Sequence, residues 1–314
     1  MRAVVIQAGG ELLIEERPDP QVSPSQVLLG VESSGLNGAD QLQRRGFYPA
    51  PAGVVADIPG LEIAGSILAI GGQVSDVRVG DRVMAVVAGG GQASQICVEA
   101  AELLRVPDQL SWVEAGGFPE AFTTAHDALV TQAHIAAGAR VYISGGAGGV
   151  GTAAIQIANA FGCEVVASVR NEDLRPQVAE LGATVIDPAD IGEHGPYDVV
   201  LELIGASDLE AVLPHLNPFA RVVVIGVGGG AKAEINLLGI MSSRAIITGS
   251  TLRARSASEK AEVALRVRED LLGFLANGKL RVPVAASYPL DEVEAAYARF
   301  AAGAKFGKVV LLKA

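Results

Sequence analysis

Residues 141–152 read Val141-Tyr142-Ile143-Ser144-Gly145-Gly146-Ala147-Gly148-Gly149-Val150-Gly151-Thr152. An apolar run enters this stretch, Gly146-Ala147-Gly148-Gly149-Val150-Gly151 fits G-x-G-x-x-G, and an Ala-rich segment with helical spacing leaves it toward Phe161. Strand, tight turn and helix in that order predict a phosphate-binding corner. The first glycine permits the turn, the second lets the main chain approach a pyrophosphate, and the third lets helix and strand pack closely. The helix N-terminus then offers unpaired N–H groups to the anion. A second apolar strand over 164–169 falls within the unit of about 30 residues that such a corner needs. The plainer reading, a Gly-rich turn with no ligand, does not explain that context.

The tip of the second strand decides which dinucleotide is expected. A carboxylate there would accept from a ribose 2′-hydroxyl, whereas an arginine would pair with a 2′-phosphate. The chain reads Val165-Val166-Ala167-Ser168-Val169-Arg170, with Arg175 following in the next helical segment. NADPH is therefore expected over NADH, with Arg170 and Arg175 as its readers. The competing reading is a pair of solvated surface arginines.

Working outward, strands at 141–144, 164–169, 198–203, 221–225 and 245–248 alternate with helical segments and read as unbroken apolar runs. That is the pattern of a parallel sheet covered on both faces, so this region is doubly wound α/β. Before about residue 111 the chain instead shows short strands with Gly and Pro punctuation, at 2–6, 12–15, 27–32, 62–70, 81–87 and 94–98, and one helical stretch over 37–46. This is a mostly β module. Ser111-Trp112-Val113-Glu114 has capping-box spacing, and a helix runs from Pro119 to about Gln132. The same spacing recurs at Ser256 and Glu259, before a long helix to about Asn277. A strand at 284–288, a helix at 291–300 and a strand at 308–312 complete the chain.

Composition narrows the function classes. The 314 residues carry 24 Lys plus Arg against 35 Asp plus Glu, a net charge of −11, and only 4% aromatics. Neither phosphate attraction nor base stacking is plentiful, so nucleic acid is not expected as a partner. No run of eighteen apolar residues suggests a membrane span. Cys97 and Cys163 cannot build a disulfide framework and read as buried thiols rather than nucleophiles. Nothing over residues 1–16 resembles a signal peptide, and the expected compartment is the cytoplasm.

Further marks are Gly35-Leu36-Asn37-Gly38-Ala39-Asp40, Arg45-Gly46-Phe47-Tyr48-Pro49, Gly60-Leu61-Glu62, Pro119-Glu120, Gly249-Ser250-Thr251-Leu252-Arg253-Ala254-Arg255 and Gly307-Lys308. With them the chain resembles, over nearly its whole length, the zinc-free quinone oxidoreductases of the medium-chain dehydrogenase/reductase superfamily, including the zeta-crystallin-like and stress-inducible branches. The resemblance implies an α/β protein with a GroES-like, mostly β catalytic domain over 1–118. A Rossmann NADPH-binding domain would cover 119–256, and a C-terminal segment, 257–314, would return to the catalytic domain.

In zinc-dependent relatives a cysteine ligand matches the Leu36-Asn37 loop, and Gly-His-Glu matches Gly60-Leu61-Glu62. This chain has Asn37 and Leu61 there, and its four histidines form no pair at ligand spacing. No metal is expected. Without a Lewis acid, simple alcohol oxidation is disfavoured, while a quinone or enone accepts hydride to give a delocalised oxyanion.

The resemblance implies Tyr48, Asn37 and Asp40 as catalytic residues. It implies Asn37, Thr124, Gly146, Gly148, Gly149, Val150, Gly151, Arg170, Arg175, Gly226, Ser250, Leu252 and Lys308 as cofactor contacts. The plainer roles are a turn residue for Asn37, a helix cap for Asp40 and a rim aromatic for Tyr48. Some relatives carry another tyrosine where this chain has Leu42, and a lysine where it has Leu174. The implied activity is NADPH-dependent, zinc-independent reduction of quinones or conjugated carbonyls. An enoyl or enone reductase on the same scaffold stays open, as does a non-enzymatic NADPH-binding role, crystallin-like or RNA-binding. A homodimer is expected, formed through an edge strand near 245–248.

Overall fold

The periodicity of the strands separates the chain into two kinds of sheet. A computed structural model describes residues 1–313. It divides into two compact units: Met1–Thr123 with Leu252–Gly303 and the segment from Lys308 onward, and Thr124–Thr251 with Ala304–Gly307.

The first unit opens with β1 (Arg2–Ile6), β2 (Leu12–Glu16), β3 (Gln26–Gly35), α1 (Gly38–Arg44), β4 (Glu62–Ile70), β5 (Arg82–Val86), β6 (Gln95–Glu99), β7 (Leu104–Arg105) and α2 (Trp112–Gly117). The helix α3 (Pro119–His126) follows and passes into a π-helical turn, Asp127–Gln132. The second unit holds β8 (Arg140–Ile143), α4 (Gly149–Ala160), β9 (Glu164–Ser168), α5 (Arg175–Ala179), β10 (Thr184–Ile186), β11 (Tyr197–Glu202), α6 (Ala206–Val212), β12 (Leu216–Val224), α7 (Leu237–Ser243) and β13 (Ile246–Gly249). The chain then returns to the first unit with α8 (Ala257–Asp270), α9 (Leu272–Ala276), β14 (Val284–Pro289), α10 (Val293–Ala301) and β15 (Lys308–Leu312).

In the first unit β1 and β2 form a hairpin, and seven strands form the larger sheet along β14-β15-β3-β4-β5-β7, with β6 also paired to β3. All its pairings are antiparallel except β14 with β15. Val27, Leu29 and Val31 of β3 pack with Ile63, Ile67 and Val83. On another side of the unit, Val309 and Leu311 of β15 meet Tyr297, Leu36 and Val4. Each such side chain, fully withdrawn from water, contributes roughly 1.5–3 kcal/mol.

In the second unit six strands lie in the order β10-β9-β8-β11-β12-β13, all parallel. Chain order reverses between β8 and β11, the place where doubly wound sheets take ligands beyond their strand ends. Tyr142, Val166, Tyr197, Val200 and Val222 fill the core on this sheet.

The structure adds elements that periodicity does not show. β7 and β10 are two and three residues long, too short to display a repeat. The long helix expected to Asn277 is interrupted at Leu271, whose φ widens to −112° while its side chain is completely buried. The helix expected after Arg170 is a short 3-10 turn capped by Asn171 and then only five residues.

Candidate functional site

In the second unit the 145–151 turn closes on its own backbone. The Gly146 amide donates to the Ser168 carbonyl at 3.0 Å, and Gly148 donates to Gly145 at 3.1 Å. The segment 304–307 braces it from outside, where Gly307 donates to the Ala147 carbonyl at 2.9 Å and bridges to Gly148. A Cβ on Gly151 would collide with the Gly145 carbonyl oxygen, so only glycine lets α4 start this close to the strand. α4 begins at Gly148 with no side chain capping it and no acid in its first turn. The amides of Gly149, Val150 and Gly151 are thus the opening donors of a twelve-residue helix, the arrangement that favours an anion.

Around this turn the two arginines differ. Arg175 donates through Nε to the Val169 carbonyl at 2.9 Å and pairs with Asp187 at 2.6 Å, so it braces the tip of β9. Arg170 is exposed just beyond that tip. The Gly226 amide donates to the Glu202 carbonyl at 3.1 Å, Thr124 is buried, and Ser250 Oγ donates to Asp127 at 2.8 Å.

The first unit gathers Asn37, Asp40 and Lys308 into one buried cluster around Glu62. Lys308 is 4% exposed and Glu62 0%. The ammonium lies 2.6 Å from Glu62 Oε1, and donates to Asn37 Oδ1 at 2.6 Å and to the Leu36 carbonyl at 3.0 Å. Three donors meet three acceptors. Asn37 Nδ2 donates to Glu62 Oε1 at 2.8 Å, and the Glu120 amide donates to Oε2 at 2.8 Å. Gly35 leaves the room: a Cβ there would strike Glu62 Oε1 and the Gly116 carbonyl. Asp40 is wholly buried, accepting from the Asn37 amide at 2.7 Å and the Gly60 amide at 3.1 Å. Burial pushes its carboxyl up to about 6, with the two amides and the Lys308 charge acting in the opposite direction.

Tyr48 stands with Arg253 instead. The guanidinium lies 4.9 Å from the centre of its ring, donates to the Tyr48 carbonyl at 2.9 Å and to Gln43 Oε1 at 2.7 Å. Burial raises the Tyr48 phenol above its ordinary range; Glu120 adds to that, and Arg253 opposes it. Leu252, also in this unit, is buried.

Residues 23–134 match the family described as the alcohol dehydrogenase GroES-like domain, and residues 149–267 the family described as zinc-binding dehydrogenase. The quinone oxidoreductase of Homo sapiens is 30% identical over 329 residues, covering 99% of this chain and 98% of that protein. The chain belongs to the quinone oxidoreductases of the medium-chain dehydrogenase/reductase superfamily. As a member of this oxidoreductase superfamily it has the GroES-like and Rossmann architecture and a family that uses nicotinamide cofactors. An alcohol dehydrogenase superfamily protein from Novosphingobium aromaticivorans matches with a TM-score of 0.89 at 30% identity, over 100% of both chains. The CurK enoyl reductase matches with a TM-score of 0.87 at 26% identity, over 100% of this chain and 99% of that one.

The family description matched over residues 149–267 names zinc, and the residues here do not suit it. Asn37 and Leu61 are poor ligands, Leu61 is core, and Glu62 is already matched by an ammonium. Among the described residues no group of three or more His, Cys, Asp or Glu side chains could hold a metal ion. The turn and α4, in contrast, do suit a dinucleotide pyrophosphate.

Sequence reading missed the Glu62–Lys308 pairing, the reach of Arg253, and a buried acid at the end of β11, Glu202. For the last there was a signal: a carboxylate closing an apolar strand.

Proposed function

We propose that the protein is an NADPH-dependent, zinc-independent quinone oxidoreductase. The observation that carries this reading is the full-length similarity to quinone oxidoreductases, joined to a chain whose matching ligand positions are Asn37 and Leu61. The main-chain N–H groups of Gly149, Val150 and Gly151 would hold the pyrophosphate, and Gly146, Gly148 and Gly226 would give it room. Arg170 would take the 2′-phosphate, with Arg175 shaping the strand tip behind it. Thr124, Ser250 and Leu252 would border the nicotinamide. When bound, the cofactor supplies the hydride.

The chain's own groups then act by position and charge. Tyr48 Oη would donate a hydrogen bond to the substrate oxygen as it gains charge. Asn37, Asp40 and Lys308 would set the loop carrying the cofactor-facing backbone, since their polar atoms are directed at one another and at Glu62. A delocalised quinone anion needs no stronger electrophile.

The likeness to the CurK enoyl reductase favours one second reading, an enoyl or enone reductase. NADPH oxidation with the purified protein over quinones, enones, enoyl thioesters and alcohols, with and without a chelator, tests both. Turnover of quinones unaffected by chelation is expected. Turnover confined to enoyl thioesters would move the assignment to the second reading, and stoichiometric zinc whose removal abolishes activity would overturn zinc independence.

We also propose a homodimer and a cytoplasmic setting. β13 is a sheet edge, and Phe219, Leu237, Leu238, Met241 and Ile246 of the same unit expose apolar surface that a second copy could cover. Both cysteines are free, as in a reducing compartment. Among the described residues no helix is long and apolar enough to cross a membrane.

A further inference from the structure

At the carboxyl end of β11, beside the phosphate-binding turn, two acids are buried against each other. Glu202 is 0% exposed and Asp208, on α6, is 7% exposed. Glu202 Oε1 is fully used: it accepts from Ser144 Oγ at 2.9 Å and from the amides of Ile204 and Gly205 at 2.6 and 2.7 Å. Its other oxygen, Oε2, is buried and no donor is directed at it. The neighbouring acid, Asp208, interacts with Glu202 side chain to side chain.

Two ionised carboxylates cannot hydrogen-bond, so such a contact requires a proton. Burial raises the Asp208 carboxyl too, but the Tyr142 hydroxyl, 2.7 Å from its Oδ2, and the Arg170 charge oppose that rise, which makes Asp208 the better anion of the two. The Tyr142 hydroxyl, with Ser168 Oγ 2.8 Å away, has one proton, and the carboxylate is its stronger acceptor.

We propose that Glu202 and Asp208 share one proton, and that its loss weakens the grip of Arg170 on the cofactor's 2′-phosphate. This rests on the reading of Arg170 given above. With the proton in place the pair carries one negative charge against the Arg170 guanidinium. Without it the pair carries two, and the added charge opposes a phosphate brought to the same arginine. Burial pushes Glu202 up to about 7, with Asp208 adding to the rise and the Gly205, Ile204 and Ser144 donors opposing it, so the change falls near neutral pH. From β8 the pair is faced by Tyr142, whose phenol burial and Asp208 push far above its ordinary range. From the tip of β9 it is faced by Arg170. By reciprocity, NADPH binding above neutral pH takes up a proton.

Calorimetric titration of the full-length protein with NADPH and with NADH, from about pH 6.5 to 8.5, tests this. Wild type is expected to lose roughly three- to tenfold in NADPH affinity relative to NADH as pH rises. Glu202→Gln places an amide donor where the acid proton stands, so its NADPH-to-NADH ratio is expected to stay at the low-pH value throughout. Asp208→Asn removes the partner charge and serves the same comparison if the first variant does not fold. The cofactor's own phosphate titration is common to all proteins compared. A wild-type ratio that does not change with pH, or a Glu202→Gln slope equal to wild type, overturns the proposal. Arg170→Ala separates the two layers. If that variant keeps the wild-type ratio at pH 6.5, the Arg170 reading fails and the coupling with it. If the variant loses NADPH selectively while the wild-type ratio is flat with pH, only the shared proton is refuted.

Discussion

Each unit buries a carboxylate cluster, and the two are neutralised in opposite ways. Glu62 is met by an ammonium that the chain itself carries on β15, and that ammonium also fixes Asn37 and the Leu36 carbonyl. Glu202 is met by another acid, and the balancing charge is a proton drawn from solvent. A cation built into a strand ties distant segments together whatever the medium holds. A proton comes and goes with it. The first arrangement makes a scaffold, and the second makes a site that responds to its surroundings.

The largest expected effect tests the scaffold. Lys308→Met leaves Glu62 buried without its cation, and urea unfolding is expected to show a loss of about 3–5 kcal/mol. Adding Glu62→Gln to that variant is expected to restore most of it. If the double variant is no better than the single, packing rather than charge holds the cluster.

Next comes Asp40, which lies in the scaffold but lacks a direct ammonium contact. Its folded value of about 6 stands above its ordinary 3.8, so between those limits the folded chain binds more protons than the unfolded one. Stability from this group is complete below about pH 4 and falls as pH rises through 6, by up to about 3 kcal/mol. Asp40→Asn is expected to flatten that part of the stability profile; an unchanged slope would remove Asp40 from the argument.

On the responsive side, Arg170→Ala is expected to weaken NADPH by about 10- to 100-fold, or ~1.4–2.7 kcal/mol, with NADH nearly unchanged in direct binding. Equal weakening of both would point to the pyrophosphate instead.

The smallest effect belongs to Tyr48. Since the scaffold's donors are directed inward, Tyr48→Phe is expected to lower kcat for quinones about tenfold, ~1.4 kcal/mol, with little change in NADPH affinity. An unchanged kcat in Tyr48→Phe, with a higher KM in Tyr48→Ala, would make the residue a wall of the pocket.

What the sequence makes legible in these units is local. The glycine turn shows because its geometry demands glycine at fixed intervals, and the capping boxes at Ser111 and Ser256 show because each partner lies three residues away. The parallel strands show as unbroken apolar runs. The scaffold does not show in that way: Lys308 and Asn37 are 271 positions apart, and Arg253 meets Gln43 across 210. Asn37 can be picked out as a site residue, but the sequence gives no sign that its amide is spent on Glu62 and Lys308. The acid pair is closer in sequence and still hidden, because α6 follows a glycine at φ 124° with no side-chain cap to announce it.

The placement of β15 also bears on how the chain is made. It lies between β14 and β3 in the first unit's sheet, yet it leaves the ribosome long after β3. At roughly 5–20 residues per second, the wait between β3 and β15 is on the order of tens of seconds. Through that interval Glu62 has no ammonium and the Ser33–Gly35 end of β3, where β15 pairs, is open to a wrong partner. The second unit is continuous over Thr124–Thr251, apart from the short 304–307 brace, so its sheet can close while the first still waits. Translation thus lets the second unit's sheet close first, and the first unit's sheet is completed only once β15 is made.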